Sequence, residues 1–124
     1  IPEPIHAGGL RYHGMSPLVS HVYELGLAEA IAIPQRECFA GALQFARTEG
    51  IVPAPEPTHA IAAAIREALA CKESGEEKVI VTALCGHGHL DLASYETYLS
   101  GQMGDYDLPD SVNSDAMASV PVIA

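Results

Sequence analysis

Three prolines within five residues, Pro53, Pro55 and Pro57, divide this chain. Each proline removes a backbone N–H and fixes φ at about −65°, and each pushes the residue before it toward extended geometry. The run 51–57 can therefore be neither a regular helix nor a central strand, and it reads as a stiff extended loop. Whatever core the chain builds must come from the periodic segments on either side.

Upstream, Ser16-Pro17 reads as an N-cap followed by proline at the first helical position, and Leu18, Val22 and Leu25 recur at helical spacing up to Gly26. Residues 28–33 alternate small and apolar side chains before Pro34, the pattern of a strand feeding a helix over about 34–48, with Phe39, Leu43 and Ala46 on its buried face. Downstream, Thr58 opens an alanine-rich helix that Gly75 stops. Residues 79–84 are a continuous apolar run, the signature of a strand buried on both faces of a parallel sheet, and a last helix is expected over about 90–99. Beyond Gly101 small and acidic residues dominate, which reads as a mobile tail over 102–124. The fold class is thus α/β, but two strands are too few for a sheet that stands alone. Residues 1–101 form part of an α/β domain whose other strands are expected upstream.

The first residues agree with that reading. Ile1-Pro-Glu-Pro4 has no methionine, basic stretch or apolar signal segment, so the chain reads as a piece of a longer protein. Six basic against sixteen acidic residues give a formal charge of −10, which repels nucleic acid phosphates and anionic membranes. No apolar run approaches the roughly 18 residues that a membrane helix needs. Cys38, Cys71 and Cys85 are odd in number and irregular in spacing, as expected for reduced thiols in the cytoplasm.

Ligands of open α/β sheets collect at the carboxyl ends of parallel strands, where the turn Cys85-Gly86-His87-Gly88-His89 is expected. Glycines there allow backbone to approach a ligand closely and leave Cys85, His87 and His89 to face a crevice; a tight turn with solvated histidines fits the residues equally well. His87, His89 and Asp91 do not make a persuasive metal cluster, because the His-x-His lies in a turn with no second ligand pair at recognisable spacing, and no metal is expected. Glu56, in the proline-stiffened loop beside Thr58 and His59, is suited to orienting a ligand, although Glu56 and Thr58 capping the following helix is the commoner use of such residues. The opening block from His6 to Gly14 gathers ligand-capable groups in a loop but is neither a dinucleotide fingerprint nor a P-loop.

Taken in order, His6-Ala-Gly-Gly-Leu-Arg-Tyr-His-Gly14, then Ala46-Arg-Thr-Glu-Gly-Ile-Val-Pro-Ala-Pro-Glu-Pro-Thr-His-Ala60, then Cys85-Gly-His-Gly-His-Leu-Asp91 resemble three successive blocks of the tryptophan synthase β-chain family, in its longer, divergent branch. With the helices between them they span about residues 6 to 100. The resemblance implies the C-terminal portion of a fold-type II pyridoxal phosphate enzyme, a partial three-layer α/β/α unit of its larger domain. It also implies a lyase of tryptophan biosynthesis that exchanges the hydroxyl of L-serine for indole. By the same resemblance Glu56 lies beside the cofactor, Cys85 hydrogen-bonds the pyridine nitrogen with Gly86 next to it, and Arg11, His87 and His89 are candidates for the substrate site or its closure.

Cys85 departs from the serine usual in the family; a thiol is a weaker partner than a hydroxyl but is likewise neutral. Related serine and threonine dehydratases use cysteine at this place, so a dehydratase-like lyase is the alternative activity. Where Arg11 and His87 stand, the classical branch carries an aspartate and an arginine that close the active site, a departure that argues against coupling to an α subunit. A homodimer is compatible with the resemblance. Neither Lys72, on a polar helix end, nor Lys78, at a strand start, has a setting suited to a Schiff base, and no glycine-rich phosphate cradle is present. The chain by itself is therefore expected to carry no catalytic residue and to be inactive without the remainder of the β chain. Two readings compete with that of an enzyme portion: a non-catalytic binding module, and a metal-binding protein using His87 and His89.

Overall fold

The computed structural model describes residues 5–11, 14–106, 109–118 and 120–121. Five α-helices order the chain: α1 Pro17–Glu24, α2 Gln35–Glu49, α3 Pro55–Ser74, α4 Leu92–Leu99 and α5 Asp110–Ala118. Short 3-10 turns at Gly8–Leu10 and Gly88–Leu90 complete it. Pro2 and Pro4, Tyr12 and His13 of the first block, and residues 107–108, 119 and 122–124 of the expected tail lie outside the described residues.

The helix expectations hold where capping and periodicity carried them. Ser16 accepts a hydrogen bond from the Val19 N–H at 3.3 Å and Pro17 takes the first helical position of α1. α2 buries Cys38, Phe39, Gly41 and Ala42, and α3 buries Thr58, Ile61 and Ala62. The two helices pack closely at Gly41, where an added Cβ would lie 3.3 Å from Ile65 Cδ1 and 3.7 Å from the Ala62 backbone. Arg66 of α3 closes the pair on its outer side, its Nε and a terminal nitrogen each donating to a different oxygen of Glu37 at 2.6 Å.

Two expectations need correction. The proline run is not loop throughout: α3 begins at Pro55, and Pro55, Glu56 and Pro57 form its first turn. The first N–H groups of a helix have no intrahelical acceptor, so prolines there forfeit nothing, and only Ile51–Ala54 stays extended or irregular. Second, among the described residues there is no strand, and the only β pairing is an isolated antiparallel bridge between Pro53 and His87. The α/β layering is therefore not formed within these residues, which are mostly helical. A ladder needs partner strands, and neither 28–33 nor 79–84 has one here. Far from being buried on both faces, Val79 is 92% exposed and Val81 89%, against 38% for Ile80 between them. Past Gly101, Met103 is buried, the Gln35 side chain donates to the Gly104 carbonyl, Asp105 accepts from the Arg36 N–H at 3.0 Å, and α5 follows.

The core is small and aromatic. Phe39 and Ala42 of α2, Tyr95 of α4 and Met103 are buried together, with Leu43, Val52 and Tyr98 around them. Phe39 meets the Tyr95 ring edge-on at 5.1 Å and stacks on Tyr98 at 5.8 Å, geometries that add about 0.5–1.5 kcal/mol each to simple burial. This cluster fixes α4 against α2 and so places everything that α4 touches.

Candidate functional site

The three sequence blocks, distant along the chain, meet in space. Glu56 Oε1 accepts a hydrogen bond from the Gly9 N–H at 2.9 Å, joining the first block to the second. The Ala54 N–H donates to the Gly86 carbonyl at 3.1 Å and the Gly88 N–H to the Val52 carbonyl at 2.7 Å, joining the second to the third. A tie further out links the first block to α4 and α2: His6 Nδ1 lies 3.0 Å from Ser94 Oγ, and the His6 N–H donates to Gln35 Oε1 at 3.2 Å.

Close approach is the reason for the glycines of the third block. At Gly88 a Cβ would collide with the Pro53 carbonyl and lie 3.0 Å from Val52 Cγ1. Gly86 adopts φ +132°, which L side chains rarely adopt, and a Cβ there would come within 3.1 Å of the Ala54 methyl. The turn is thus pressed against the residues that lead into α3. Cys85 stands at its start as an exposed free thiol. His87 caps the 3-10 turn, its Nδ1 accepting from the His89 N–H at 3.3 Å, and the two imidazoles tilt together with centroids 4.6 Å apart.

Glu56 is not a helix cap in the expected sense. Ala54 is the N-cap residue and supplies no side-chain bond; Thr58 turns its hydroxyl back to donate to the Pro55 carbonyl at 2.5 Å. Glu56 sits in the first turn, where a carboxylate faces the positive end of the helix dipole, and spends one oxygen on Gly9. His59, one turn on, is half-buried, and that burial pushes its imidazole below the ordinary range while the Glu56 charge opposes the shift. Arg11 Nε is buried with no hydrogen-bond partner among the described residues, and Arg11 and His87 make no hydrogen bond or ion pair with each other there. No group of three or more metal-ligating side chains occurs among the described residues, and no described helix is long and apolar enough to cross a membrane.

One participant escaped the sequence. Tyr95 of α4 donates its hydroxyl to the Pro53 carbonyl at 2.6 Å within the core, and burial, with the Asp91 charge behind it, raises the phenol to about 12. The sequence places it only within the helix expected over about 90–99; nothing in a lone tyrosine tells which carbonyl it will reach.

No protein-family model matches the chain. Among curated relatives it is 62% identical to tryptophan synthase beta chain 2 of Aquifex aeolicus over 105 residues, which are 85% of this chain and 24% of that protein. It is 61% identical to tryptophan synthase beta chain 2 of Methanosarcina mazei over 103 residues, 83% of this chain and 23% of the relative. The tryptophan synthase beta chain of Thermococcus onnurineus is 54% identical over 104 residues, 84% and 24% respectively. The chain spans about a quarter of the length of the relatives it matches. Identity of this degree over more than four-fifths of the residues means that the chain belongs to the tryptophan synthase β-chain family.

Proposed function

We propose that this chain is the C-terminal part of a pyridoxal phosphate-dependent β chain that makes L-tryptophan from L-serine and indole, and that it supplies one wall of the cofactor site. The observation that carries the proposal is the joining of Gly9 to Glu56 and of Val52–Ala54 to Gly86–Gly88, which gathers the family's three blocks. The residues fit the cofactor's needs at this wall. Gly86 and Gly88 let the turn press against Val52–Ala54, where a side chain would intrude, and Cys85 at the head of that turn presents an exposed thiol that can meet a ring nitrogen. When bound, pyridoxal phosphate supplies the electron sink for bond-breaking at the amino acid. In this reading Glu56, anchored by Gly9, orients a ligand or holds a proton, and Arg11, His87 and His89 are the candidates to close over the substrate.

Neither lysine fits the role of cofactor anchor. Lys72 is an exposed residue of the last turn of α3. Lys78 pairs with Glu76 at 3.1 Å, and that bond raises its pKa, so it stays a charged ammonium and not a free nucleophilic amine. The Schiff-base lysine and phosphate cradle then belong to the remainder of the β chain, which is the first partner of this segment. The missing sheet belongs there too: Ile80 and Thr82 line a cleft of about 320 Å³ with α2 and α3, while Val79 and Val81 present a bare apolar edge. In this reading 1–101 are part of the α/β cofactor domain and 102–124 an appended segment. The three cysteines, all free, suit the cytoplasm, and a homodimer without an α subunit is the expected assembly.

The test is to exchange the matching quarter of the Aquifex aeolicus relative for this chain and to assay tryptophan formation from serine and indole. Tryptophan formation above that of the relative lacking the segment is expected. A folded, cofactor-loaded chimera that releases pyruvate from serine but never uses indole would replace the synthase reading with the dehydratase one, which Cys85 favours. The chain alone, mixed with cofactor and serine, is expected to give neither imine absorbance nor product, and turnover by it would overturn the division of labour described above.

A further inference from the structure

We propose that Tyr95 is a positioning residue of the site: its hydroxyl, by holding the Pro53 carbonyl, sets the distance between the α3 start that carries Glu56 and the turn that carries Cys85. The inference deepens the functional reading above and rests on it for its catalytic consequence only.

Pro53 sits at the centre of the bridge between the two segments. Its neighbours' main-chain groups are used across that bridge, Val52 O by Gly88 N–H and Ala54 N–H by Gly86 O. Pro53 has no N–H to contribute, so its carbonyl is the one polar main-chain group it can use to fix itself. That carbonyl is held from two sides. Tyr95 donates to it at 2.6 Å, and the α-carbon face of Gly88 lies so close that no Cβ fits between them. Pro53 is itself fully buried, so the carbonyl has no ready exchange of the phenol for water.

Tyr95 is well made for the task. It is 5% exposed, its ring is gripped edge-on by Phe39 at 5.1 Å, and α4 places it from beyond the turn it organises. The phenol keeps its proton, and so its donor role, throughout the neutral range. Glu56 lies three residues beyond Pro53, and Cys85 two before His87, the residue that bridges to Pro53. Loss of the hydroxyl therefore frees the hinge between two site elements while leaving the ring in the core.

The experiment is Tyr95→Phe, read by amide hydrogen exchange in the 124-residue chain and by kinetics in the complete β chain carrying it. Exchange at Ala54 and Gly88 is expected to quicken about tenfold while amides in the middle of α2 and α3 change less than twofold. In the complete enzyme kcat should fall about tenfold at unchanged cofactor content, with the serine KM moving far less. Equal acceleration of every amide, or none, overturns the positioning role, and so does a full-length variant with wild-type kcat. If the wild-type enzyme makes no tryptophan, the functional reading fails and the exchange pattern alone decides for or against the tie. Should Tyr95→Phe fold poorly, Pro53→Ala with Tyr95 intact, which keeps the carbonyl, is expected to retain slow exchange at Gly88; rapid exchange there would count against Tyr95.

Discussion

Glu56 and Gly9 are 47 residues apart in sequence, and the carboxylate of one holds the backbone N–H of the other at 2.9 Å. The bond uses a charged acceptor, yet it lies at the surface, where water competes. Glu56→Ala should therefore leave global stability within about 0.5 kcal/mol, as exposed substitutions usually do. Its effect should be local, with the Gly9 amide exchanging several-fold faster, and Glu56→Gln should fall between. Unchanged exchange at Gly9 would show that the first block is held by His6 alone.

Gly88 makes a sharper prediction. An alanine there must displace the Pro53 carbonyl or break the Gly88–Val52 bond. Overpacking of this sort costs about 1–3 kcal/mol, so Gly88→Ala should lower the urea midpoint clearly. The exposed Gly104, where an added Cβ meets nothing within 4 Å, should tolerate the same change far better. Equal midpoints for the two variants would contradict the packing described here.

Alkaline pH should destabilise the fold in a definable window. Burial pushes the Cys38 thiol from its ordinary 9.0 up to about 11, so above 9.0 the unfolded chain releases this proton while the folded chain keeps it. Its stabilising contribution is complete below the unfolded value and disappears as pH climbs through the folded one. Tyr95 acts in the same direction between 10.0 and about 12. Urea midpoints should thus fall from pH 9 upward, and the fall should be shallower in Cys38→Ala. In alkylation at neutral pH, exposed Cys85 should react and Cys38 should stay protected until unfolding.

The Arg66–Glu37 pair spans α3 and α2 with two 2.6 Å bonds, but both side chains remain partly in solvent. Hydrogen bonding from Arg66 holds the Glu37 carboxyl below its ordinary range. Its contribution is then present above the unfolded carboxylate value and lost as pH falls through the lowered one. Arg66→Ala should reduce Tm slightly at low ionic strength, and the difference should shrink at about 1 M salt, where screening acts over roughly 3 Å. A salt-independent loss would point instead to the packing of the arginine stem.

Much of the helical plan was legible because its causes are local. Ser16 and Pro17 start α1, Gly75 stops α3, and the spacing of Phe39 and Leu43 on α2 already named the face that the core buries. The three blocks were legible as a family resemblance, and with them Glu56, Cys85 and Gly86 as candidates. What the residues by themselves could not tell was which groups touch. A proline run can be loop or first turn, and α3 starts at Pro55 because a helix's opening N–H groups need no partner. The segments 28–33 and 79–84 have the composition of strands, but a strand exists only with a neighbour to accept its hydrogen bonds, and none lies among the described residues. The Gly9–Glu56 bond, the Pro53–His87 bridge and the Tyr95 hydroxyl on Pro53 are long-range contacts, the last placed by how α4 docks on Phe39. Local pattern determined the pieces and their chemistry; the packing of aromatic rings between distant helices decided which of those pieces face one another, because such contacts depend on the whole core and on no single stretch of chain.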